Sequence, residues 1–423
     1  MSLDIQAVRT AFPALASGYL YADNAGGSQC LGDVVSRISD YLLNTNVQLG
    51  ADYSVSVSST NRVSSGAEAA RELFNAASVD EIAYGSSSTM LVENLARAIE
   101  ADVQPGEEII VTGEHESNAG PWKRLAARKG AVLKMWNATQ LPQYPDNPYA
   151  VGLQLDALLP LISSKTRLIA FTACSNILGS VVPVKEIIAA ARALASERGA
   201  RKLEFCVDCV AYAPHRQIDV RAWDVDYCYF SFYKVYGPHT SVLYARAAAL
   251  EQSLSSLGHH FLKVDTKPYK LQPGGPGYEL VYACTGVPPY LRSLAPEGTL
   301  EAVWGAVAQH EQKLLAPLLV YLQSKASRGV RIVGQEDAGL ARVPTVSFVV
   351  VGERPIRSPD VVRAFDAKGN VGIRYGHFYA YTLIDTLSPK VDVDDGVVRI
   401  SLVHYNTVEE VQRIIATLEE VLA

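Results

Sequence analysis

The sequence predicts an α/β fold in which a large, mostly parallel sheet is joined to a smaller C-terminal α+β domain. The main observation is that short apolar segments alternate with amphipathic segments between about residues 80 and 250. Short buried strands that alternate with amphipathic helices are typical of a parallel sheet covered by helices on both faces. The length of 423 residues is also more than a single core usually needs, so it leaves room for a second domain.

The elements of the large sheet follow from this alternation in chain order. The strand patterns are EIAYGS, EEIIVTG, AVLKMWN, TRLIAFTACSN, LEFCVDCVA, YCYFSFY and SVLYAR. The helix patterns that separate them are STMLVENLARAIEA, GPWKRLAARKG, LQLDALLPLIS and VKEIIAAARALASERG. The segment TKPYKLQPGGPGYELVYACTGVPPY is rich in Pro and Gly, and we expect it to form a long ordered loop that ends this region.

A second group of elements follows this loop. LEAVWGAVAQHEQKLLAPLLVYLQSKAS is strongly helical, VPTVSFVVV and VVRISLVHY have strand patterns, and EEVQRIIATLEEVLA is again helical. This order indicates a smaller α+β domain. We predict a large domain of residues 20–290 and a small domain formed by residues 1–19 and 291–423.

Composition and charge argue against several classes of protein. The formal charge is −6 and the chain has no run of Lys or Arg, so we expect no nucleic-acid partner. No apolar run approaches the ~20 residues of a membrane span, and the N-terminus lacks the basic and apolar regions of a secretory signal. We therefore expect a cytoplasmic protein with reduced cysteines. Cys206 and Cys209 form a C-x-x-C pattern, but residues three apart in a strand face opposite sides, so we expect no metal site.

A turn rich in hydroxyl residues precedes the first helix of the sheet region. In YGSSSTMLVENLARAI, a strand leads through Gly85 and four hydroxyl residues into a helix. Free backbone N–H groups and the positive end of the helix dipole favour anions. Residues 87–90, which include Ser88, Thr89 and Met90, are therefore candidate ligands of a phosphate group. The alternative is that these residues only cap the helix.

Two charged residues stand at the ends of apolar strand patterns. Asp208 lies in LEFCVDCVAY, where it either caps a neighbouring turn or faces a cation such as a protonated ring nitrogen. Lys234 lies in YCYFSFYKVYGP, where apolar surroundings disfavour the ammonium form and make the amine a nucleophile. A phosphate site, a buried Asp at a strand end and a desolvated Lys are the three attachments of pyridoxal 5′-phosphate.

These motifs resemble those of fold-type-I pyridoxal-phosphate enzymes of the class V aminotransferase superfamily, in the cysteine-desulfurase-like branch. The resemblance runs from FPALASGYLYADNAGGSQ to VVRISLVHYNTVEEV, which is essentially the whole chain. It implies that TGEHESNAGPW supplies His115, which stacks on the cofactor ring and assists proton transfer. It also implies that ACSNILGSVVPVKEI supplies Asn176, which bonds the ring hydroxyl.

The resemblance assigns roles around the Lys and Asp segments as well. VDCVAYAPH supplies Asp208 for the ring nitrogen, with Ala211 beside the ring. SFYKVYGP supplies Lys234 for the covalent bond to the cofactor, with Ser231 toward the phosphate. The family usually has His immediately before the lysine. Tyr233 replaces it here, and its hydroxyl can still donate to the phosphate.

Substrate binding and assembly also follow from the resemblance. RISLVHYNT supplies Arg399, whose guanidinium grips the substrate carboxylate bidentately. Asn24, Arg374 and His377 are further substrate-binding candidates, and Arg374 can add to Arg399 in holding a carboxylate. Family members complete their active site across a homodimer. The segment PGGPGYELVYACTG resembles the one that reaches a neighbour's phosphate, with Thr285 as the donor, and a solvent-exposed connector is the alternative.

One position departs from the pattern of the family. Sulfur-transferring members have Arg-x-Gly-His-x-Cys-Ala, whereas NVGIRYGHFYAYTLID has Tyr379 in place of the Cys. A phenol with a pKa near 10 cannot replace a thiolate as the acceptor of a persulfide sulfur. Tyr379 can instead close the pocket or act as an acid, or it is only a packing residue. The departure counts against desulfurase activity and leaves the cofactor chemistry intact.

We therefore expect an enzyme that acts on a free amino acid through an external aldimine and a Cα carbanion, with Lys234 as the general base. YLLNTNVQLGADYS, YAPHRQIDV and KVYGPHTSVLYAR look most like a subgroup of fungal alkaloid-pathway enzymes that includes the loline-pathway Mannich-type cyclase. Biosynthetic bond formation, cyclisation or elimination is accordingly the favoured function. A cysteine desulfurase or carbon–sulfur lyase, an epimerase or aminotransferase, and a non-catalytic pyridoxal-phosphate-binding regulator are the alternatives.

Overall fold

The computed structural model describes residues 3–261 and 268–423. Its α-helices are α1 (Ile5–Thr10), α2 (Gly32–Asn44), α3 (Ser54–Phe74), α4 (Ser88–Ala98), α5 (Gly120–Lys129), α6 (Leu155–Leu158), α7 (Val184–Glu197), α8 (Val220–Trp223), α9 (Ala247–Gln252), α10 (Tyr278–Ala283), α11 (Val287–Ser293), α12 (Leu300–Ser324), α13 (Ser358–Lys368), α14 (Tyr381–Asp385) and α15 (Val408–Val421). Its β-strands are β1 (Leu20–Tyr21), β2 (Ile82–Gly85), β3 (Glu108–Thr112), β4 (Val132–Trp136), β5 (Thr139–Gln140), β6 (Val151–Gly152), β7 (Thr166–Thr172), β8 (Glu204–Asp208), β9 (Tyr227–Ser231), β10 (Ser241–Ala245), β11 (Val330–Val333), β12 (Thr345–Val350), β13 (Val371–Gly372), β14 (Arg374–Gly376) and β15 (Val397–Ser401).

Seven strands form the large sheet, in the order β2-β10-β9-β8-β7-β3-β4. Strand β10 runs antiparallel to both of its neighbours, and the other adjacent pairs are parallel. Side chains alternate between two apolar clusters, so that Ile169 and Phe171 of β7 face one cluster while Leu168 and Ala170 face the other. Both faces are therefore buried, which explains the nearly continuous apolar runs of these strands. The predicted α/β fold with a mostly parallel sheet is confirmed.

A four-stranded antiparallel sheet lies in the C-terminal part of the chain, in the order β11-β12-β15-β14. The long helix α12 packs against α15 and β11, and α13 packs against β14 and β15. Strand β1 pairs in parallel with β13, and Asp23 forms an isolated bridge with Ser401. Residues 20–24 are thereby tied to C-terminal elements. The predicted domain boundaries at residues 20 and 290 stay a prediction.

Two predicted elements differ from those observed. The Pro- and Gly-rich segment contains α10 and α11, joined by the 3₁₀ turn Cys284–Gly286, and its first two residues, 266 and 267, lie outside the described residues. The prediction of a continuous loop was wrong because Pro288 occupies the first turn of α11, where a missing N–H breaks no helical hydrogen bond. The helix predicted for LQLDALLPLIS is only the short α6 followed by a 3₁₀ turn, since Pro160 cannot continue the pattern of helical hydrogen bonds.

The structure bears on membrane, metal and cysteine chemistry within residues 3–261 and 268–423. No helix in these ranges is both long and apolar enough to cross a membrane. The same ranges hold no group of three or more His, Cys, Asp or Glu side chains arranged to bind a metal ion. All six cysteines are free. Cys206 and Cys209 face the two apolar clusters on opposite sides of the large sheet.

A buried ion cluster joins the amino ends of β7 and β8. The side chain of Arg167 is 0% exposed. Its Nη2 lies 2.5 Å from Asp102 Oδ2 and 2.9 Å from Glu204 Oε2. The Tyr227 hydroxyl also donates to Glu204 Oε2, at 3.0 Å. The guanidinium therefore neutralises the buried Glu204 and the partly buried Asp102.

We expect Arg167→Met to lower the free energy of unfolding by about 3–5 kcal/mol, because breaking a buried ion pair leaves an uncompensated buried charge. The measurement is urea unfolding followed by circular dichroism. Arg363→Met is the matched control. Arg363 has a 73% exposed side chain and pairs with Asp360, and such surface pairs contribute only about 0–1 kcal/mol. Equal losses in the two variants would contradict the role given to the buried cluster.

Candidate active site

A cavity opens at the carboxyl edge of the large sheet, where parallel α/β sheets bind their ligands. Most of the predicted cofactor-binding residues line it. The lining residues are Ser87, Ser88, Thr89, His115, Ser117, Thr172, Cys174, Asn176, Asp208, Val210, Ala211, Ser231, Tyr233 and Lys234. The ends of β2, β3, β7, β8 and β9 thus meet around one space.

Lys234 occupies the 3₁₀ turn that follows β9 and is only 6% exposed. Burial lowers the pKa of its amine to about 8, and the nearby positive charge of Arg399 acts in the same direction. The negative charge of Asp208 opposes this shift but does not cancel it. About a tenth of the amine is therefore neutral at pH 7, far more than for an ordinary lysine. The aromatic side chains Phe230 and Phe232 beside it in sequence belong to the apolar cluster beneath the site.

Asp208 ends β8 and is 4% exposed. Its Oδ1 accepts a hydrogen bond from the Val210 N–H at 2.8 Å. Burial raises the pKa of this carboxyl, and the Val210 N–H and the Lys234 charge offset part of that shift. A carboxylate in this position is stabilised by a further cation, such as a protonated ring nitrogen.

Hydroxyl groups and a helix N-terminus lie at the other end of the cavity. Ser87 caps α4, because its Oγ accepts the Met90 N–H at 3.2 Å. Ser88 Oγ lies 2.6 Å from Ser231 Oγ, and that atom lies 2.7 Å from Ser241 Oγ. Donors and a helix dipole directed at one space suit a phosphate group. Ser87 therefore caps the helix as the alternative predicted, and the phosphate-binding role of its neighbours, which line the cavity, stays a prediction.

His115 is held in one tautomer. Its Nδ1 accepts the backbone N–H of Ser117 at 3.2 Å and lies 2.8 Å from the Ser117 hydroxyl. A backbone N–H can only donate, so the ring proton is on Nε2. Burial lowers the pKa of the ring to about 3, and the charges of Lys234 and Arg399 add to that shift. His115 is therefore a neutral ring that donates through Nε2.

Asn176 leaves one polar atom of the site without a partner. Its Nδ2 donates to the Phe378 carbonyl oxygen at 3.0 Å, while the buried Oδ1 has no hydrogen-bond partner among residues 3–261 and 268–423. An unsatisfied buried acceptor costs about 1–3 kcal/mol. A ligand hydroxyl that donates to Oδ1 removes this cost, and the ring hydroxyl of pyridoxal phosphate is such a group.

Glu114, which the sequence prediction missed, supports the turn that carries Asn176. Its Oε2 accepts from Ser175 Oγ at 2.7 Å. Ser175 Oγ in turn accepts the N–H groups of Ile177 and Leu178 at 3.3 and 3.0 Å. Burial raises the pKa of Glu114 to about 7. The only signal in the sequence is an acidic residue directly before His115.

Arg399 is buried beside the cavity with an exposure of 1%. Its Nη2 lies 2.8 Å from Asp23 Oδ1, and its Nη1 donates to the Asn176 carbonyl oxygen at 3.1 Å. Its Nε has no hydrogen-bond partner among the described residues. Asp23 was not predicted as a site residue. Asp23 stands just after the apolar strand β1, much as Asp208 stands at the end of an apolar strand, so the same sequence signal could have located it.

The segment around Tyr379 also contains Arg374 and His377, and all three residues are more exposed than Arg399. Arg374 has a 58% exposed side chain, with Nη1 3.8 Å from Asp23 Oδ2, and it lines a second, open pocket of about 620 Å³. His377 Nδ1 accepts the Tyr379 N–H at 3.2 Å. The Tyr379 side chain is 69% exposed, and its ring centroid lies 5.4 Å from that of His115. Tyr379 thus stands at the rim of the site.

For three predicted site residues outside the cavity lining, the polar groups are used by other parts of the chain. Asn24 is a structural residue, since its Nδ2 donates to the Tyr21 and Ser401 carbonyl oxygens at 2.8 and 2.9 Å and its Oδ1 accepts from Tyr405. Both amide hydrogens are used within the chain, and the role of Asn24 as a substrate ligand stays a prediction. Met90 contributes an N–H that Ser87 already binds, and its side chain is 50% exposed.

Thr285 is the third of these residues. Its hydroxyl donates to the Tyr282 carbonyl oxygen at 2.6 Å and accepts from Arg37 Nη1 at 3.1 Å. It therefore has no direct part in the cavity of its own chain. Its predicted role in a neighbouring subunit stays a prediction.

Pyridoxal 5′-phosphate fits the groups that surround the cavity. The buried Asp208 carboxylate suits the ring nitrogen, the unpartnered Asn176 Oδ1 suits the ring hydroxyl, and the Lys234 amine suits the aldehyde. The hydroxyls at the start of α4 suit the phosphate. The individual roles remain predictions, but the donor set as a whole is complementary to this molecule.

Known proteins resemble the chain over its whole length. The family model for class-V aminotransferases matches residues 20–414. An aminotransferase-like protein of Gibberella zeae is 44% identical, covering 100% of this chain and 99% of that protein. A cysteine desulfurase-like protein of Aspergillus flavus is 32% identical, covering 99% and 91%. The fold resembles that of a solved cysteine desulfurase of Thermococcus onnurineus, with a TM-score of 0.83 at 22% identity, covering 100% and 98% of the two chains.

We expect the protein to hold pyridoxal phosphate covalently through Lys234 and to be yellow. In cofactor-free protein, the rate of this attachment should rise with pH through about 8 and level off above it, because only the neutral amine attacks an aldehyde. Borohydride reduction followed by peptide mass mapping identifies the labelled lysine. Lys234→Ala should bind the cofactor without a covalent bond.

Lys270 is the internal control for this labelling. It is also buried, but its Nζ donates to the Leu250 and Leu254 carbonyl oxygens at 2.6 and 3.2 Å. It should remain unlabelled in the same digest. A reduced label on Lys270, or on any lysine other than Lys234, would overturn the assignment.

Proposed function

We propose, from the premise that this chain belongs to the class-V aminotransferase family, that it is a lyase or cyclase acting on a free amino acid at Cα. The family depends on pyridoxal 5′-phosphate, and this group is the cofactor of the chain. When bound, the cofactor supplies an electron sink that stabilises negative charge on the Cα of the amino acid. The outcome is biosynthetic bond formation, such as a Mannich-type cyclisation, or elimination.

The observation that carries this proposal is the absence of a reactive thiol at the rim of the site. Tyr379 takes the place of the nucleophilic Cys, and its phenol is a poor acceptor of sulfur. Cys174 does line the cavity, but burial raises the pKa of its thiol, which is therefore protonated at neutral pH. Cys284 is also buried with a raised thiol pKa. Sulfur transfer by a thiolate is thus disfavoured, while groups for Cα chemistry are retained.

The side chains around the cavity divide the work of such a reaction. Lys234, whose amine is partly neutral near pH 7, takes a proton from Cα and returns it. Arg399 binds the α-carboxylate of the amino acid, and Asp208 keeps the ring nitrogen protonated. Neutral His115 covers the ring and donates through Nε2. Tyr379, exposed at the rim of the site, can donate its hydroxyl proton to a leaving or attacking group.

A cysteine desulfurase or carbon–sulfur lyase is the second candidate. Several relatives support it, because they are named cysteine desulfurases or desulfurase-like proteins. A carbon–sulfur lyase releases sulfur without a protein thiolate, so the Tyr379 argument bears only on the persulfide route. A non-catalytic regulator is the third candidate, and it predicts that amino acids leave the spectrum of the cofactor unchanged.

Incubation with L-cysteine should leave negligible persulfide on the protein. Tyr379→Phe should bind the cofactor like the wild type but change the rate or the ratio of products, since it loses only a hydroxyl. Persulfide is followed by thiol labelling and mass spectrometry, and products are followed by mass in a panel of amino acids. Efficient formation of alanine from cysteine, with a persulfide trapped on Cys174, Cys284 or another cysteine, would restore the desulfurase interpretation.

We further propose that the active form is a homodimer whose subunits complete each other's sites. Helix α2 exposes a row of apolar side chains at Val35, Leu42 and Leu43, and Leu43 is 82% exposed. Spacings of seven and eight residues place them on one face of the helix. Helix α10 packs against α2, and Arg37 of α2 bonds to Thr285. The apolar face and the segment expected to reach a neighbour are thus adjacent.

Sedimentation should therefore give a dimer, and Leu43→Glu should shift it toward monomer with weaker cofactor binding and loss of turnover. A charge in an apolar interface is costly to bury. Leu340→Glu is the control, because Leu340 is also exposed, at 60%, but lies outside α2. A wild-type monomer with full activity would refute the homodimer.

A further inference from the structure

We propose that Phe378 is a specificity-determining residue that fixes the plane in which Arg399 receives the carboxylate of an α-amino acid. The ring centroid of Phe378 lies 3.6 Å from Arg399 Cζ, which is the distance of direct stacking. One face of the guanidinium is therefore covered by the aromatic ring. This role presupposes the proposed function, in which Arg399 binds the substrate carboxylate.

The donors left on Arg399 lie in the plane of the guanidinium. Nη1 and Nη2 each use one hydrogen, on the Asn176 carbonyl oxygen and on Asp23. Each of these nitrogens has a second hydrogen, and Nε is unpartnered among the described residues. A planar carboxylate can take two such donors side by side, but only in the plane that Phe378 leaves open.

The backbone that carries the Phe378 ring is strained, and hydrogen bonds hold it in this conformation. Phe378 and Tyr379 have φ values of 48° and 62°, a left-handed conformation that non-glycine residues rarely adopt. Such strain persists only where the surroundings determine the conformation. Three hydrogen bonds do so here: Asn176 Nδ2 to the Phe378 oxygen at 3.0 Å, Glu116 N to the Tyr379 oxygen at 2.8 Å, and Tyr379 N to His377 Nδ1 at 3.2 Å.

The plane of the carboxylate matters for which bond reacts. In pyridoxal-phosphate chemistry the Cα bond that stands perpendicular to the cofactor ring is the one that breaks. The position of the carboxylate determines the directions of the other two substituent bonds of Cα. Because Phe378 fixes the plane of the Arg399 guanidinium, it also fixes the rotation of the amino acid about its Cα–N bond. The residue thereby selects among the Cα bonds as well as for free α-carboxylates.

The test compares Phe378→Leu with the wild-type holoenzyme in two binding measurements. The first is the rate at which phenylglyoxal labels Arg399, read from peptide masses, and it needs no turnover. The second is the Kd for L-alanine and for L-alaninamide, read from the cofactor spectrum. We expect faster labelling of Arg399, a Kd for L-alanine raised roughly 3- to 30-fold, and an unchanged Kd for L-alaninamide, which lacks the carboxylate.

Control variants separate stacking from a general structural effect. Phe378→Tyr keeps an aromatic face and should restore both values. Tyr375→Leu removes a nearby ring, 39% exposed on β14, that does not cover the Arg399 guanidinium, and should match the wild type. A third measurement is the ratio between deuterium exchange at the Cα of L-alanine and the other reactions of L-alanine. This ratio should change in Phe378→Leu and return to the wild-type value in Phe378→Tyr.

Arg399→Lys distinguishes failure of this proposal from failure of the proposed function. If this variant binds L-alanine as tightly as the wild type, Arg399 is not the carboxylate site and both proposals fall. If it weakens L-alanine binding while Phe378→Leu leaves the labelling rate and the Kd at wild-type values, only the role of Phe378 is refuted. Equal weakening of L-alanine and L-alaninamide by Phe378→Leu would also refute it.

Discussion

The arrangement of the site depends on the ion pair between the buried Arg399 and the partly buried Asp23. A guanidinium that is 1% exposed is tolerated only with a partner, and Asp23 supplies one at 2.8 Å. The same guanidinium bonds the carbonyl oxygen of Asn176, so it connects the N-terminal segment, the turn after β7 and the C-terminal sheet. Its charge also contributes to the lowered pKa values of Lys234 and His115. One ion pair thus affects both the geometry and the protonation of the site.

The sequence was sufficient for the architecture because apolar periodicity is a local signal. Strands buried on both faces read as short apolar runs, and the ends of such runs located Asp208 and Lys234. The helices α10 and α11 were missed because Gly and Pro density does not reveal whether a Pro falls in the first turn of a helix. The helices α10 and α11 pack against α3, which is distant in sequence, and no local pattern indicates that contact.

Side-chain partners were less predictable, since they depend on contacts between residues far apart in sequence. Asn24 matched a motif of substrate-binding residues, but its amide is used by the carbonyl oxygens of Tyr21 and Ser401. Glu114 lies beside a predicted site residue, yet its importance rests on Ser175, 61 positions away. No local pattern indicates either contact. The stacking of Phe378 on Arg399 likewise joins two segments that only the folded sheet brings together.

The unpartnered polar atoms around the cavity connect recognition with folding. Glu114 Oε1, Asn176 Oδ1 and Arg399 Nε are buried without hydrogen-bond partners within the described residues. Each such atom weakens the folded state by about 1–3 kcal/mol, and a molecule that satisfies it returns that free energy. Affinity for the folded state and resistance to heat are then two measures of the same quantity. The cofactor and the amino acid that suit this site should therefore each be recognisable by calorimetry, as a rise in melting temperature, before the reaction is known.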